Sequence, residues 1–455
     1  MCSLLSLKSY SKSSTNLSAL YDVAMQGDTS VVVKFNNYLI FVENEKIAKA
    51  QRGAQLDLEL RAGLSQGSQS GQIQSSDAGF TFFLPLYDFQ KAVAQSRSQA
   101  SSFLAKLESE AQRQNFTQLF LEAFIRLSER KSQYYFSIAK DEFLKRFYLK
   151  IEKEAEKSFK EQHPDLPFDS TKVLVLRLIR QELEDQTRDI RGDLLQYINE
   201  KNFIEKSLIG AKIPDEQLLH PFLKIKIINE DHDSLVQRIK RNNLSLQALL
   251  AGVNVADLNL LAASKAWQPT LGLYGDARFG IESGAGSSSP GSYNEFGGGL
   301  SLKWRLSGRK ERKAKEEIAR LEKVNKQAEY DGLLVDNIVE LHRLRNGLNT
   351  QKEQIYSLLE SYKESKETLE LFLGKDKLAM IQADIVEPAT IPEKRSIVES
   401  HFRVAEKLVI AQHNLILLDF RMRLLTGQMD RSVVDSFGKN LLVNCKDLKR
   451  IFRSR

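Results

Sequence analysis

The chain has 455 residues, of which 42% are hydrophobic and 27% are charged, so it contains enough apolar residues to form a core. Its formal net charge is +7, but the basic residues are spread over stretches that are also dense in glutamate, so no nucleic-acid partner is predicted. No run of about 18 apolar residues is present, and no transmembrane helix is predicted, although this test does not exclude alternating membrane strands.

Enzyme chemistry has no support in the sequence. The two cysteines and six histidines show no metal-ligand or redox spacing, and there is no phosphate-binding loop. Carboxylate pairs lie among lysines at helical spacing, which is typical of surface charge. The sequence therefore predicts no catalytic, cofactor-binding or metal-binding residue.

Residues 1–15 are predicted to be an N-terminal segment without regular structure. They lack the charged start, the apolar stretch and the small-residue cleavage site of a signal peptide. Two alternatives stay open: an export signal lies upstream of Met1, or the protein is not exported.

A first repeat is predicted over residues 16–206. It begins with a helix at 16–52 and continues with a β-hairpin at 54–88, whose loop at 66–71 is polar. A long helical hairpin at 89–206 follows, and Pro164 and Pro167 lie in its connection.

A second repeat with the same order is predicted over residues 233–428. It consists of a helix at 233–266, a β-hairpin at 268–306 and a long helical hairpin at 308–428, with the chain reversing at 374–378. A polar linker at 207–232 joins the repeats, and a basic tail follows at 429–455.

Both long helical stretches, 91–159 and 309–373, contain no proline. Apolar residues recur in the second stretch at alternating steps of three and four, as in Leu334, Ile338 and Leu341. This spacing indicates a coiled-coil seam, which needs a partner helix in the same chain or in another chain.

All four predicted strands alternate, so that one face is apolar and the other is polar. This is the pattern of a membrane strand that faces lipid on one side and a wet interior on the other. The residues predicted to face lipid are Leu56, Leu58, Leu60, Phe80, Phe82, Leu271, Leu273, Leu300, Leu302 and Trp304.

A basic cluster follows the fourth strand. Two readings are open: a solvated helix start, or cationic side chains that reach the headgroup layer of a membrane. Its members are Lys303, Arg305, Arg309, Lys310, Arg312, Lys313 and Lys315.

The chain resembles TolC-like outer-membrane channel-tunnel proteins, of the outer membrane efflux family, over about residues 16–428. The resemblance rests on segments 84–88 (LPLYD), 266–275 (AWQPTLGLYG), 299–308 (GLSLKWRLSG) and 424–427 (LLTG). Their order and duplicated spacing are more specific than any one of them alone.

This resemblance implies a mostly α, α+β fold with an internal two-fold repeat. Three copies would form one twelve-stranded outer-membrane β-barrel, and long coiled-coil helical hairpins would form an α-barrel tunnel in the periplasm. The implied function is a passive export duct in a tripartite efflux pump or type I secretion system. The implied partners are a homotrimer, a periplasmic adaptor, an inner-membrane transporter and outer-membrane lipid.

The resemblance also implies that the helical tips gate the tunnel and contact the adaptor. Family members often place acidic residues in the second tip where this chain has Met380 and Ala383, and residues 387–393 look like an insertion. Cation selectivity at this tip is therefore not carried over. The candidate tip residues are Asp165, Asp169, Gly374, Asp376 and Asp384.

The alternative function is a coiled-coil scaffold of the envelope or cytosol that carries two hairpins but forms no channel. The missing export signal favours it, whereas the apolar alternation on four separate strands favours the channel. The sequence does not identify the cargo.

Overall fold

The computed structural model describes residues 17–67, 71–169, 174–213, 230–284, 291–304, 307–379 and 390–441. The first half contains α1 (Leu17–Gly27), α2 (Thr29–Ala50), β1 (Gln55–Gly67), β2 (Gly71–Tyr87), α3 (Phe89–Gln162) and α4 (Leu174–Ile204). A short π-helix (Glu205–Ile209) follows. The second half contains α5 (His232–Asn242), α6 (Leu244–Ser264), β3 (Thr270–Gly284), β4 (Gly291–Lys303), α7 (Arg309–Ala379), α8 (Thr390–Leu425) and α9 (Arg431–Leu441).

The predicted fold class is confirmed, because the described part of the chain is mostly helical and contains a four-stranded sheet. The two halves share one order of elements: a helix pair, a hairpin, a very long helix and a returning helix. The long helices, α3 and α7, have 74 and 71 residues. A single helix of this length has no core of its own. It is stabilised by apolar seams along which it packs against other helices.

The first helix of each repeat is broken at the same place, where a single helix was predicted. Asp28 separates α1 from α2, and its carboxylate accepts a hydrogen bond from the backbone N–H of Val31 at 2.9 Å, which caps α2. Asn243 separates α5 from α6 with an extended backbone, and its side-chain amide donates to the Leu425 carbonyl at 2.9 Å. Short polar side chains that satisfy backbone groups favour such breaks over a continuous helix.

The four strands form one antiparallel sheet in the order β1-β2-β3-β4. Leu58 pairs with Phe80, Ile281 with Ser76, and Leu273 with Leu300. The ladder between β2 and β3 is irregular between Pro85 and Tyr87. A proline has no N–H to donate to the ladder, so it is found at such irregular positions in strands.

The reversal predicted at 374–378 is wrong, because α7 continues through Gly374 to Ala379. A lone glycine weakens a helix by only about 1 kcal/mol and does not end one that is held by its neighbours. Pro392, predicted to break the helix inside an insertion, lies in the first turn of α8, where the missing N–H has no partner to lose. Residues 380–389, including Met380, Ala383 and Asp384, lie outside the described residues.

The described residues form two compact units. The helical unit contains Met1–Val32, Gln112–Asn243 and Asn337–Arg455, and the sheet unit contains Val33–Ala111 and Leu244–Asp336. The core of the helical unit is built on Phe116, Phe120 and Phe124 of α3, which lie four residues apart on one helical face. The Phe120 and Phe124 rings have centroids 4.9 Å apart, and Tyr21 of α1 meets Phe120 edge-on.

The predicted basic tail begins with an ordered helix. On α9, Val433, Val434 and Phe437 are buried in the core that also contains α1. Arg431 pairs with Asp22 of α1 at 2.7 Å. The tail was predicted from its charge, but the i, i+1, i+4 spacing of its apolar residues is that of an amphipathic helix.

Helix α6 is long and apolar enough, by length and composition alone, to cross a membrane, so the prediction that no helix passes this test is wrong. A core helix of a soluble protein passes the same test, and Ala248 and Ala251 of α6 are buried against Leu107 of α3.

The packing of α9 can be tested with Phe437→Ala. Phe437 is buried and meets Phe420 edge-to-face at 5.5 Å, so its truncation leaves a cavity that costs about 3–5 kcal/mol. We expect a clearly lower midpoint in thermal unfolding followed by circular dichroism. Ser436→Ala, at an exposed position of the same helix, is the control and should leave the midpoint within a degree or two of wild type. Equal midpoints for both variants would contradict the packing of this helix.

Candidate functional site

The strand register brings the predicted lipid-facing residues of the four strands together on one face of the sheet. Leu56 pairs with Phe82, which lies opposite Gly275, and Leu271 pairs with Leu302. Trp304 follows β4 directly. Alternation adds residues that the sequence prediction did not include: Phe279, Ile281 and Phe296, of which Phe279 and Phe296 meet edge-to-face at 5.5 Å. We call this side of the sheet the apolar face.

No described part of the chain covers the apolar face. Leu56, Leu60 and Leu300 are 70%, 73% and 69% exposed, and Phe296 is 73% exposed. Isolated exposed leucines are ordinary, but a contiguous apolar surface across four strands marks an interaction with a partner or with lipid.

The opposite side, here the polar face, carries charged and small residues in rows across the strands. One row contains Asp57, Thr81, Asp276 and Gly297. The next row contains Glu59, Gly79, Arg278 and Glu295. The sheet therefore separates hydrocarbon-like from water-like surfaces, as the sequence alternation predicts.

Glycines on the polar face make room for side chains of the neighbouring strand. A Cβ at Gly297 would lie 2.6 Å from Oδ1 of Asp276, and one at Gly272 would lie 2.5 Å from the Phe83 ring. Gly280 likewise leaves room for the Tyr293 ring. These side chains thus lie along the sheet rather than away from it.

Both outer edges of the sheet are open as far as the described residues go, because strands β1 and β4 each pair on one side only. The helices attached to the sheet follow the same order: Lys34 of α2 pairs with Glu108 of α3, Leu107 of α3 packs on Ala251 of α6, and Lys323 of α7 pairs with Asp257 of α6 at 2.6 Å.

The outer helices of this layer expose apolar residues. On α2, Leu39 and Ile40 are exposed, and on α7, Leu321 and Val324 are exposed. Both helices have their exposed apolar residues at helical spacing. The sequence prediction anticipated a partner helix for the coiled-coil seam. It did not locate the two helices at the outside of the layer, because the order of helices within a layer is a tertiary property.

Three aromatic residues with a polar atom lie where the sheet meets the helices. Trp304 donates its indole N–H to the Trp267 carbonyl at 3.0 Å, and Tyr87 donates its hydroxyl to Gln268 at 3.0 Å. Tyr87, Trp267 and Trp304 are about half exposed. The irregularity after Pro85 places Tyr87 opposite Leu271, on the apolar face, where simple alternation had placed Leu86. A proline inside a strand was the sequence signal for this shift.

The predicted tip residues are in part described. Asp165 and Asp169 are exposed in the connection between α3 and the described start of α4. Gly374 and Asp376 lie in α7, and Asp384 lies outside the described residues. The described residues therefore do not test whether these five residues lie together, and their role stays a prediction.

Two buried histidines of α8 have perturbed pKa values. Burial lowers the pKa of His413 from 6.5 to about 4, and neither of its ring nitrogens has a hydrogen-bond partner among the described residues. Burial, and then the Lys366 charge, lower the pKa of His401, whose Nδ1 lies 3.0 Å from Ser365 Oγ. Burial raises the pKa of Glu129 and of Tyr362. Buried groups in helix seams show such shifts without chemistry, and no group of three potential metal ligands exists among the described residues.

Residues 235–373 match the family model for outer membrane efflux proteins. The predicted resemblance to TolC-like channel proteins is confirmed. A comparison with curated protein sequences gives no match.

Solved structures share the fold over most of the chain. CusC, described as a protein that forms a transmembrane channel, superposes with a TM-score of 0.70 at 13% identity, covering 92% of this chain and 95% of its own. The open state of the MtrE outer membrane channel of Neisseria gonorrhoeae gives 0.69 at 14% identity, with 91% and 90% covered. The CmeC outer membrane channel of Campylobacter jejuni gives 0.66 at 14% identity, with 96% and 94% covered.

The buried state of His413 predicts an acid-sensitive helical unit. The unfolded chain takes up a proton near pH 6.5, whereas the folded chain resists protonation until about pH 4, so stability is full above pH 6.5 and falls as the pH drops toward 4. The slope contributed by one group is at most about 1.4 kcal/mol per pH unit. His413→Leu should flatten the fall in thermal midpoint between these pH values.

His163→Gln, at an exposed position, is the control and should keep the wild-type pH dependence. A pH profile of His413→Leu that coincides with wild type would show that this histidine is not buried in the neutral form.

Proposed function

We propose that this protein is an outer-membrane channel-tunnel component, a passive export duct of a tripartite efflux pump or type I secretion system. One observation carries the proposal: a four-stranded antiparallel sheet whose apolar face is exposed and whose polar face carries charged residues. A water-soluble scaffold has no reason to expose such a surface, whereas a membrane strand needs it.

Lipid imposes a second requirement, that no backbone N–H or C=O is left without a partner. The open edges of β1 and β4 are tolerated in water but not in the hydrocarbon of a membrane. The sheet must therefore be closed by further strands, and the chain supplies only four among its described residues.

In a ring with rotational symmetry, the same contact between neighbouring copies is repeated. This single contact gives hydrogen-bond partners to both open edges of each sheet. The edge of β4 and α7 in one copy would meet the edge of β1 and α2 in the next copy. The exposed apolar residues of α2 and α7 supply the matching helical surfaces. We propose three copies, which give a twelve-stranded barrel above and a helical tunnel below.

The location follows from the same assembly. The barrel would lie in the outer membrane and the helices in the periplasm, where an adaptor and an inner-membrane transporter would complete the pump. The matched family consists of efflux proteins rather than enzymes, and the proposed duct requires no catalysis.

The tips are proposed as the entrance constriction and the adaptor contact. Three-fold symmetry would triplicate Asp165, Asp169, Gly374, Asp376 and Asp384 around the axis. Rings of charge regulate passage through a narrow pore. The exposure of Asp165 and Asp169 in the first connection is consistent with this proposal.

The strand phase can be tested with a pair of neighbouring substitutions. Phe296 lies on the apolar face near the middle of β4, and a charged residue on the lipid face at mid-membrane costs roughly 2–4 kcal/mol. Phe296→Arg should therefore reduce heat-stable assembly in outer-membrane fractions. Glu295→Arg, on the polar face, should assemble normally and change the single-channel conductance. Equal assembly defects for the two variants would contradict the proposed orientation of the sheet.

The cyclic contact can be tested by cysteine cross-linking in a background with Cys2 and Cys445 changed to serine. Leu39 lies eleven residues before the end of α2 at Ala50, and Leu321 lies twelve residues after the start of α7 at Arg309, so both lie at a similar distance from the sheet. We expect Leu39→Cys with Leu321→Cys to give covalent dimers and trimers on oxidation in mild detergent.

Leu39→Cys with Asn254→Cys is the matched control, because Asn254 is exposed, lies ten residues before the end of α6 at Ser264, and α6 lies inside the helical layer of each copy. A stable monomer in native mass measurement, or cross-linking that is as strong in the control, would contradict the cyclic assembly.

A further inference from the structure

The excess positive charge of the chain is concentrated where the helices join the sheet. We define the basic collar as the sheet-proximal two turns of α2, α3, α6 and α7 with their connections, that is residues 46–52, 88–95, 260–267, 303–304 and 307–315. It contains eleven lysines and arginines against two carboxylates, Asp88 and Glu311. The collar thus carries a charge of +9, more than the +7 of the whole chain, so the remaining residues are slightly acidic.

About half of the collar cations have an internal role. Lys91 and Lys303 both lie over the Phe83 ring, at 5.6 and 5.9 Å from its centroid. Lys315 pairs with Glu311, and Lys46 pairs with Glu43. These four cations therefore already interact with aromatic or acidic side chains of the protein.

Five further cations of the collar have no such contact among the described residues. Lys49, Lys265, Arg309, Lys310 and Lys313 are exposed, and within the described part of the chain no carboxylate lies within 4.0 Å of them. Three of them lie in the first turns of α7, where the helix dipole favours anions and disfavours cations. At the same position of the first repeat, α3 begins with Asp88, which caps the N–H of Lys91 at 3.0 Å. The fold therefore does not require the cations of α7.

The collar lies directly next to the aromatic residues that end the apolar face. Tyr87, Trp267 and Trp304 are half exposed, and the Tyr87 hydroxyl and the Trp304 indole N–H are hydrogen-bonded to the chain. Tyrosine and tryptophan are enriched where hydrocarbon meets headgroups. One headgroup layer is roughly 5–8 Å thick, and two helical turns span about 10 Å, so the collar has the depth of that layer.

We propose that the collar binds the phosphates of anionic glycerophospholipids in the membrane leaflet on the helical side of the sheet. The proposal rests on the proposed outer-membrane location. The exposed cations attract the phosphate groups, while the apolar face and the aromatic residues hold the acyl chains. Three copies would present three collars, so that a ring of anionic lipid surrounds the barrel on that side.

Tryptophan fluorescence reports on this contact directly, because the two tryptophans of the chain, Trp267 and Trp304, both lie at the collar. The full chain is reconstituted in bilayers of phosphatidylcholine with increasing phosphatidylglycerol, and one of the two lipids is brominated to quench the indoles. A basic residue near an anionic surface contributes about fivefold in affinity. We expect wild type to prefer the anionic lipid at least fivefold, with the preference lost in 0.5 M salt.

The test variant is Arg309→Gln with Lys310→Gln and Lys313→Gln, in which the preference should fall to about one. The matched control removes three cations from the sheet-distal part of α7, Arg343→Gln with Lys352→Gln and Lys363→Gln, and should keep the wild-type preference. Because the triple variant can fail to insert, Lys310→Gln alone is measured beside it and should lower the preference by a smaller factor than the triple variant does, at most about fivefold.

Each outcome decides one question. Quenching by both lipids without preference in wild type, or an unchanged preference in the charge variants, overturns the lipid site and leaves the channel intact. The absence of quenching by brominated phosphatidylcholine would instead show that the tryptophans do not contact a bilayer, which overturns the proposed function itself.

Discussion

The structure depends on one constraint, that every backbone polar group of the sheet needs a partner. In water an edge strand can hydrogen-bond solvent, but in hydrocarbon it cannot. The four strands of this chain leave β1 and β4 with one open edge each, while the adjoining helices α2 and α7 expose apolar side chains. Sheet and helices are therefore incomplete at the same two edges, and one cyclic contact would complete both.

Duplication explains how one chain builds this arrangement. Each half supplies one hairpin and one long helical pair, and the halves join where β2 pairs with β3. The equivalent breaks at Asp28 and Asn243 show that the repeat extends to the detail of the helices. Each break uses a different interaction, a cap in one case and a side-chain hydrogen bond to a distant carbonyl in the other. The position is thus shared, while its chemistry has diverged.

Strand positions and their two faces could be predicted from the sequence because side-chain alternation is a local property. The reversal at Gly374 could not, since a helix that is held by neighbours tolerates a glycine that an isolated helix would not. Helix α9 was missed because the charge of the tail outweighed three apolar residues whose spacing becomes meaningful only against α1. No local sequence pattern predicts the order in which α2, α3, α6 and α7 lie side by side. For the same reason the exposure of the two outer helices, α2 and α7, could not be predicted. Whether the tip residues lie together stays a prediction, because Asp384 lies outside the described residues.

The glycines of the polar face determine how much open space a barrel of this kind would contain. Phe83, Tyr293 and Asp276 each lie over a glycine of the neighbouring strand, so their bulk extends along the wall. A single added methyl group at Gly272, Gly280 or Gly297 would displace these side chains toward the axis, and three-fold symmetry would repeat the displacement around the ring. The width of the bore would then be governed by the residues that lack a side chain, and cargo size would be limited by positions that never touch the cargo.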